Sequence, residues 1–291
     1  MSGAMHDVFA DWSIPVWLTL TILAAAALYL RGWLAIRNTR PAQFTGLRLA
    51  SFLAGLSVLW LAIGSPMDEF ADALLSAHMV EHLLLMSAVP PLLLWSMPVV
   101  PLLRGLPAFP RRLVLGPILR VSPLRRFVRW LVTPAVAWLA MNLTFLAWHI
   151  PAAYDFALEH ENWHAVEHLC FLASSTLFWW CILRPWPASR RYRTWGVLVY
   201  LVSADIVNTL LSAILAFCGR PVYAYYLDHA NPFHVSPLDD QVLGAVLMWV
   251  IGSLVFLVPA MLITLGLAGV GAGKPGRESV DTYPDNGEQI S

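Results

Sequence analysis

Residues 71–97 read ADALLSAHMVEHLLLMSAVPPLLLWSM, and how this stretch is read decides the fold. A helix that crosses a bilayer needs about 20 mostly apolar residues. Here His78, Glu81 and His82 interrupt the run, but apolar residues continue on both sides, so the stretch counts as a span. Six others need no argument: residues 13–36, 47–65, 128–149, 163–183, 194–218 and 241–265. The composition agrees. The 291-residue chain is 58% hydrophobic with a mean hydropathy of +0.65, and only 12% charged. A soluble domain carries roughly 25% charged residues.

Keeping residues 71–97 as a span also gives the charges a consistent order. Cations mark the cytoplasmic side of a membrane protein. Arg31, Arg37, Arg40 and Arg48 lie around the first connection. Arg104, Arg111, Arg112, Arg120, Arg125, Arg126 and Arg129 lie between the third and fourth spans. Arg184, Arg190, Arg191 and Arg193 separate the fifth and sixth, and Lys274 and Arg277 follow the seventh. Of the 18 cationic residues, only Arg220 falls on the other side. The reading is an all-α membrane protein: a bundle of seven transmembrane helices, N-terminus outside and C-terminus cytoplasmic, in the inner (cytoplasmic) membrane.

The bundle occupies residues 1–271. Residues 272–291 (AGKPGRESVDTYPDNGEQIS) form a polar tail expected to be disordered. The N-terminus lacks the basic start and small-residue cleavage site of a signal peptide. Residues 102–129 alternate Arg with apolar residues and Pro, a pattern suited to lying on the anionic leaflet. Acidic and basic residues balance at 18 each, which suggests no nucleic-acid partner. Three cysteines without a paired spacing argue against a disulfide scaffold or a thiolate zinc site.

All the histidines but His6 map to the outer half of the bundle or the outer loops: His78, His82, His149, His160, His164, His168, His229 and His234. Four of them sit in a pattern that occurs twice. His78-Met79-Val80-Glu81-His82-Leu83 and His164-Ala165-Val166-Glu167-His168-Leu169 both read H-x-V-E-H-L. At about 100° per residue, the two His of each motif lie about 40° apart and one turn along the helix, so their rings can converge on one metal ion or two adjacent ones. The Glu can orient a ring or ligate directly. Both spans start from the same side, so they run parallel; by its distance from Asp72, the first pair is expected somewhat deeper. One such pair near a helix end is more often an interfacial polar face. Two matching pairs inside apolar segments point to metal, because ionisable groups in a membrane are costly and mostly functional.

His149 closes the fourth span on the same side and can supply a fifth imidazole. Met86 continues the face of His78 and His82; His with Met is a copper-like ligand mixture, although most Met at helical spacing is packing. Met248 lies at comparable depth, and Met79 points about 100° away from His78. Cys170 is read as packing, Cys218 as lying at the outer end of the sixth span and Cys181 near the cytoplasmic end. Asp205, with Asn208 and Ser212 on a similar face, is either a proton or metal way-station or a hydrogen-bond anchor between helices. The loop 219–240, with Tyr223, Tyr225, Tyr226, Asp228, His229 and His234, can cap the site or receive a partner.

The sequence resembles the CtaG type of cytochrome c oxidase (caa-type) assembly factor. The resemblance rests on the His-x-x-x-His of the third span, on Trp148-His149-Ile150-Pro151 with Tyr154-Asp155, and on Trp163, His164 and Glu167-His168-Leu169. It continues through Phe178-Trp179-Trp180, Ser236-Pro237-Leu238-Asp239-Asp240-Gln241, Gly244 and Met248-Trp249. It implies a multi-pass membrane protein, not an enzyme, that helps mature a haem–copper oxidase by bringing copper to its buried site. Its partners would be oxidase subunits, the copper ion and the lipid bilayer. The expected metal ligands, assigned from the residues themselves, are His78, His82, His164, His168, His149 and Met86. Two alternatives stand beside this. H-x-x-E-H is also a zinc-peptidase pattern, and paired His helices occur in di-iron membrane enzymes. One His from each pair could instead hold a b-type haem.

Overall fold

The computed structural model describes residues 12–110, 121–183, 185, 194–229 and 233–267. The helices are α1 (Val16–Ile36), α2 (Gly46–Gly64), the short α3 (Met67–Ala73), α4 (Leu75–Leu83), α5 (Val89–Trp95) and α6 (Val99–Gly105). Then come α7 (Ser122–Leu131), α8 (Pro134–Trp148), α9 (Pro151–Leu158), α10 (Glu161–Leu183), α11 (Thr194–Phe217), the one-turn α12 (Tyr225–Asp228) and α13 (Pro237–Leu267). No strand occurs among the described residues. Among the described residues, six helical stretches are long and apolar enough to cross a membrane, and a bent pair would make a seventh. Their outward faces carry large bare apolar side chains, such as Leu143 on α8, Leu210 and Ile214 on α11, and Leu254 and Leu262 on α13. Backbone polar groups are satisfied within each helix, so lipid can cover these faces.

Two of the expected spans differ from the structure. The fourth is shorter than residues 128–149: its straight part is α8, and α7 meets it at 66° across Val132 and Thr133. Pro134 at the first turn of α8 fits a helix start, where a missing N–H costs nothing. No residue of α7 is buried; Arg125, Arg126 and Arg129 share it with bare Phe127 and Trp130. That division of faces suits a helix lying along a bilayer surface. The third span starts at Leu75, not Ala71, because Leu74 is extended (φ −138°, ψ 125°) and separates it from α3. The tail 272–291, and Arg111, Arg112, Arg120, Arg184, Arg190, Arg191, Arg193, Lys274 and Arg277, lie outside the described residues.

The third span is not a uniform helix. Residues Leu84–Ala88 form a π turn between α4 and α5. The sequence explains it: Pro90 and Pro91 have no N–H to give to the carbonyls four residues back, so the ladder must loosen there. The Met86 carbonyl, which Pro90 cannot reach with a donor, accepts instead from Trp179 Nε1 of α10 at 3.0 Å. Nearby, Ser51 Oγ of α2 donates to the Leu92 carbonyl at 2.7 Å and the Tyr29 hydroxyl of α1 to that of Ser96 at 2.8 Å. Side chains from three helices thus hold the irregular segment below the first His motif.

Close backbone packing fixes the frame around it. A Cβ on Gly32 of α1 would collide with the Pro101 carbonyl oxygen, and one on Gly105 of α6 with that of Leu28, so these two helices touch through glycine. On α13, a Cβ on Gly252 would stand 2.7 Å from Asn208 Nδ2 of α11. Asn208 instead donates to the Met248 carbonyl at 3.2 Å, tying α11 to α13.

The cap on α4 comes from far along the chain. Leu75 N and Ser76 N, two unpaired donors of its first turn, donate to Asp240 Oδ2 and Oδ1 at 2.7 and 3.1 Å. Asp240, at the start of α13, is 3% exposed, and its charge also suits the positive end of the α4 dipole. Next to it, Gln241 Nε2 donates to the carbonyls of Leu215 and Arg220, while its Oε1 accepts from Val222 N. The Asp239-Asp240-Gln241 run therefore locks the first His helix and the loop after α11 to one point.

Candidate metal centre

The cap sets the depth of the first His motif. His78 is the fourth residue of α4, counted from Leu75, and His164 the fourth of α10, counted from Glu161. The two pairs are level, not staggered as their distance from Asp72 suggests, because the helix starts after the break at Leu74. The rings of His78 and His164 are nearly parallel, 5.2 Å apart, and those of His82 and His168 meet edge-on at 5.6 Å. Within each motif the rings are 4.1 Å (His78, His82) and 4.2 Å (His164, His168) apart. The four imidazoles form one cluster, as the repeated motif predicts.

The two glutamates cross between the helices. Glu81 Oε1 of α4 lies 3.4 Å from His168 Nε2 of α10, and Glu167 Oε1 of α10 lies 3.7 Å from His82 Nε2 of α4. Each motif sends its Glu to the second His of the other, so the centre has an approximate twofold pattern. Glu81 and Glu167 are fully buried. Neither carboxylate makes a hydrogen bond, and nor do either nitrogen of His78 and His82 or the Nε2 atoms of His164 and His168. Buried polar groups are nearly always hydrogen-bonded, so this many free donor atoms in one place call for a ligand.

Two three-residue sets have their ligand atoms within 4.8 Å of one another: His78, His82 and Glu167, and His78, Glu81 and His164. They share His78, and His168 adjoins the second through Glu81. One ion, or two neighbouring ions, would be held by nitrogen and carboxylate oxygen, a set that suits copper, zinc or iron. A bound cation would also offset the two carboxylates, whose ion pairs among the described residues are to histidine alone. The sequence leaves the role of these glutamates open between orienting a ring and ligating.

His149 packs on Phe145 at 4.6 Å and on Phe171 at 6.3 Å, and the Phe171 ring lies 4.4 Å from that of His82. Of the six expected ligands, the four histidines of the repeated motif are in mutual ring contact, and His149 and Met86 line the adjoining cavity with His82. Asp205 is half-buried and off the cavity wall, and its Oδ1 makes no hydrogen bond. Cys170 and Cys218 are half-buried, and Cys181 is buried with its Sγ 3.4 Å from the Val132 carbonyl.

Tyrosines from the expected capping loop close the histidine end. Tyr154 of α9 lies 5.2 Å from the His78 ring and packs on Tyr223 at 4.1 Å. Tyr226 donates to the Ala71 carbonyl at 2.9 Å, and its hydroxyl lies 3.2 Å from that of Tyr154. Asp155 accepts from the backbone N–H of Ala224 and Tyr225, both at 3.2 Å, and so pins the start of α12. His160, His229 and His234 are exposed and take no part. Asp68, Glu69 and Asp72 on α3 and Glu161 on α10 bring four carboxyls to the same end. Burial, then the charges of Asp72, Glu69 and Glu161, push the Asp68 carboxyl up to about 7.

A family model described as cytochrome c oxidase caa3 assembly factor (Caa3_CtaG) matches residues 27–268, which contain every residue of the centre. Comparison with curated proteins and with solved structures gives no match.

Proposed function

The chain belongs to the cytochrome c oxidase caa3 assembly factor family, and from that premise we propose that it binds copper between α4 and α10 and passes it to an oxidase subunit during assembly. One observation carries the reading: four imidazoles, three of them buried, and two crossed, buried carboxylates in an apolar bundle, with almost every donor atom free of hydrogen bonds. A centre built only to join helices would spend those atoms on each other or on backbone. The donor set admits several metals; copper is chosen because the family's client is an oxidase that needs it. The acidic end collects the cation, the histidines and glutamates hold it, and the tyrosine cap separates it from solvent. Placing the histidine end on the outer face, as the arginines suggest, makes the donor compartment the space outside the cytoplasmic membrane.

The test is made in cells and on the purified protein together. With His78→Ala/His82→Ala, oxidase activity in membranes should fall sharply and copper in the purified protein should drop, while the amount of protein in the membrane stays the same. Unchanged oxidase activity at normal protein level would defeat the copper role.

A further inference from the structure

The cavity beside the centre has a chemistry of its own. Its volume is about 40 Å³, enough for an ion with a water molecule or two. Met79, Met86, Met141 and Met248 line it, together with His82 and His149. These are four of the chain's nine methionines, contributed by four separate helical segments. Met79, Met141 and Met248 are at most 4% exposed. Thioethers are soft, weak ligands that favour Cu(I) and discriminate against harder ions.

His149 is prepared in the same direction. Its Nδ1 lies 2.7 Å from the Phe145 carbonyl. A carbonyl only accepts, so Nδ1 carries the proton and Nε2 is left with a free lone pair. That Nε2 is buried with no hydrogen bond, in a residue 5% exposed. Fixing one ring nitrogen on a backbone carbonyl is how metal-binding histidines are commonly oriented. Two amides on the cavity wall are already engaged, since Asn142 donates to the Trp138 carbonyl and Asn208 to that of Met248. The π turn places Met86 here too, its carbonyl held by Trp179.

We infer that this cavity is a second metal site, selective for a soft monovalent cation of the Cu(I) type, held by His149 Nε2 and the thioethers of Met86, Met141 and Met248. His82 belongs both to the histidine–glutamate centre and to the cavity wall, so an ion that is already monovalent in the centre can be exchanged between them by a change of ligands alone, with no electron transfer. The inference rests on the copper reading for its physiological ion, but the site itself is defined by its donors.

The experiment uses the full chain in detergent with two metals, Ag(I) as a redox-inert stand-in for Cu(I) and Zn(II) as a probe that prefers imidazole and carboxylate. Met-to-Leu changes nearly conserve volume and should leave the fold intact. For Met86→Leu/Met248→Leu, Ag(I) affinity should fall at least tenfold and Zn(II) affinity should stay within twofold. For His164→Ala/His168→Ala the pattern should reverse, with Zn(II) lost and Ag(I) kept. Replacing His149 with Gln should weaken Ag(I) alone. Ag(I) binding that survives the methionine changes, or that disappears with His164 and His168, would overturn the second site. Ag(I) bound through Met86 and Met248 in a protein that never binds Zn(II) would uphold it and count against the histidine–glutamate centre instead.

Discussion

Replacing both Glu81 and Glu167 with Gln should weaken copper binding on the order of 100-fold while leaving the metal-free protein at least as stable as the original. The two effects have one cause. Each carboxylate is fully buried, makes no hydrogen bond and pairs with a histidine of the opposite helix. Without a metal, a buried carboxylate that makes no hydrogen bond carries a desolvation cost that a neutral isostere removes. With a metal, the same carboxylates supply negative charge and ligand oxygen that Gln cannot. Thermal unfolding of the metal-free variant and a competition titration with a copper chelator measure the two halves separately. If stability and copper affinity fell together, the glutamates would be holding the helices in place and not the ion.

Asp240→Ala should give the opposite combination, a loss of stability with the metal site lost as a consequence. Asp240 accepts from two buried N–H groups at the first turn of α4, and hydrogen bonds to charged groups contribute about 1.5–3 kcal/mol each. Removing them leaves Leu75 N and Ser76 N without partners in a place water does not reach. Helix α4 then loses the contact that sets His78 level with His164. A lower unfolding midpoint in detergent is expected, with reduced copper retention in parallel. Asp240→Asn, which keeps one acceptor oxygen, should recover part of both. A variant as stable as the original would mean that the cap does not set the depth of the motif.

Much of the centre could be read from the sequence, because it depends on local helical spacing. Two copies of H-x-V-E-H-L in parallel spans put four rings in one place, and the structure brings His78, His82, His164 and His168 within ring contact. What the sequence does not display is the information held between distant segments. The level register of the pairs depends on a break at Leu74 and on a cap from Asp240, 165 residues along the chain. Nothing in the periodicity of residues 71–97 marks where α4 begins. Met141 went unnoticed because a lone Met in an apolar helix looks like packing until its three counterparts are seen around one cavity. The π turn did leave a trace, Pro90-Pro91 just after Met86, which signals an interrupted hydrogen-bond ladder inside a span.

Seven spans were expected and six helices qualify outright, the difference being the bend between α7 and α8. The bend is itself informative. Arg125, Arg126 and Arg129 cannot sit in hydrocarbon, so a helix carrying them turns out of the spanning direction and can cover the membrane surface with Phe127 and Trp130.

The most direct test of the joint centre is copper K-edge absorption of the purified protein loaded with a single equivalent of Cu(II), compared with the His164→Ala/His168→Ala variant. The account predicts several imidazole nitrogens together with carboxylate oxygen in the original protein, and a loss of imidazole scattering in the variant, since both helices contribute to one centre. An imidazole signal identical in the two proteins would contradict it.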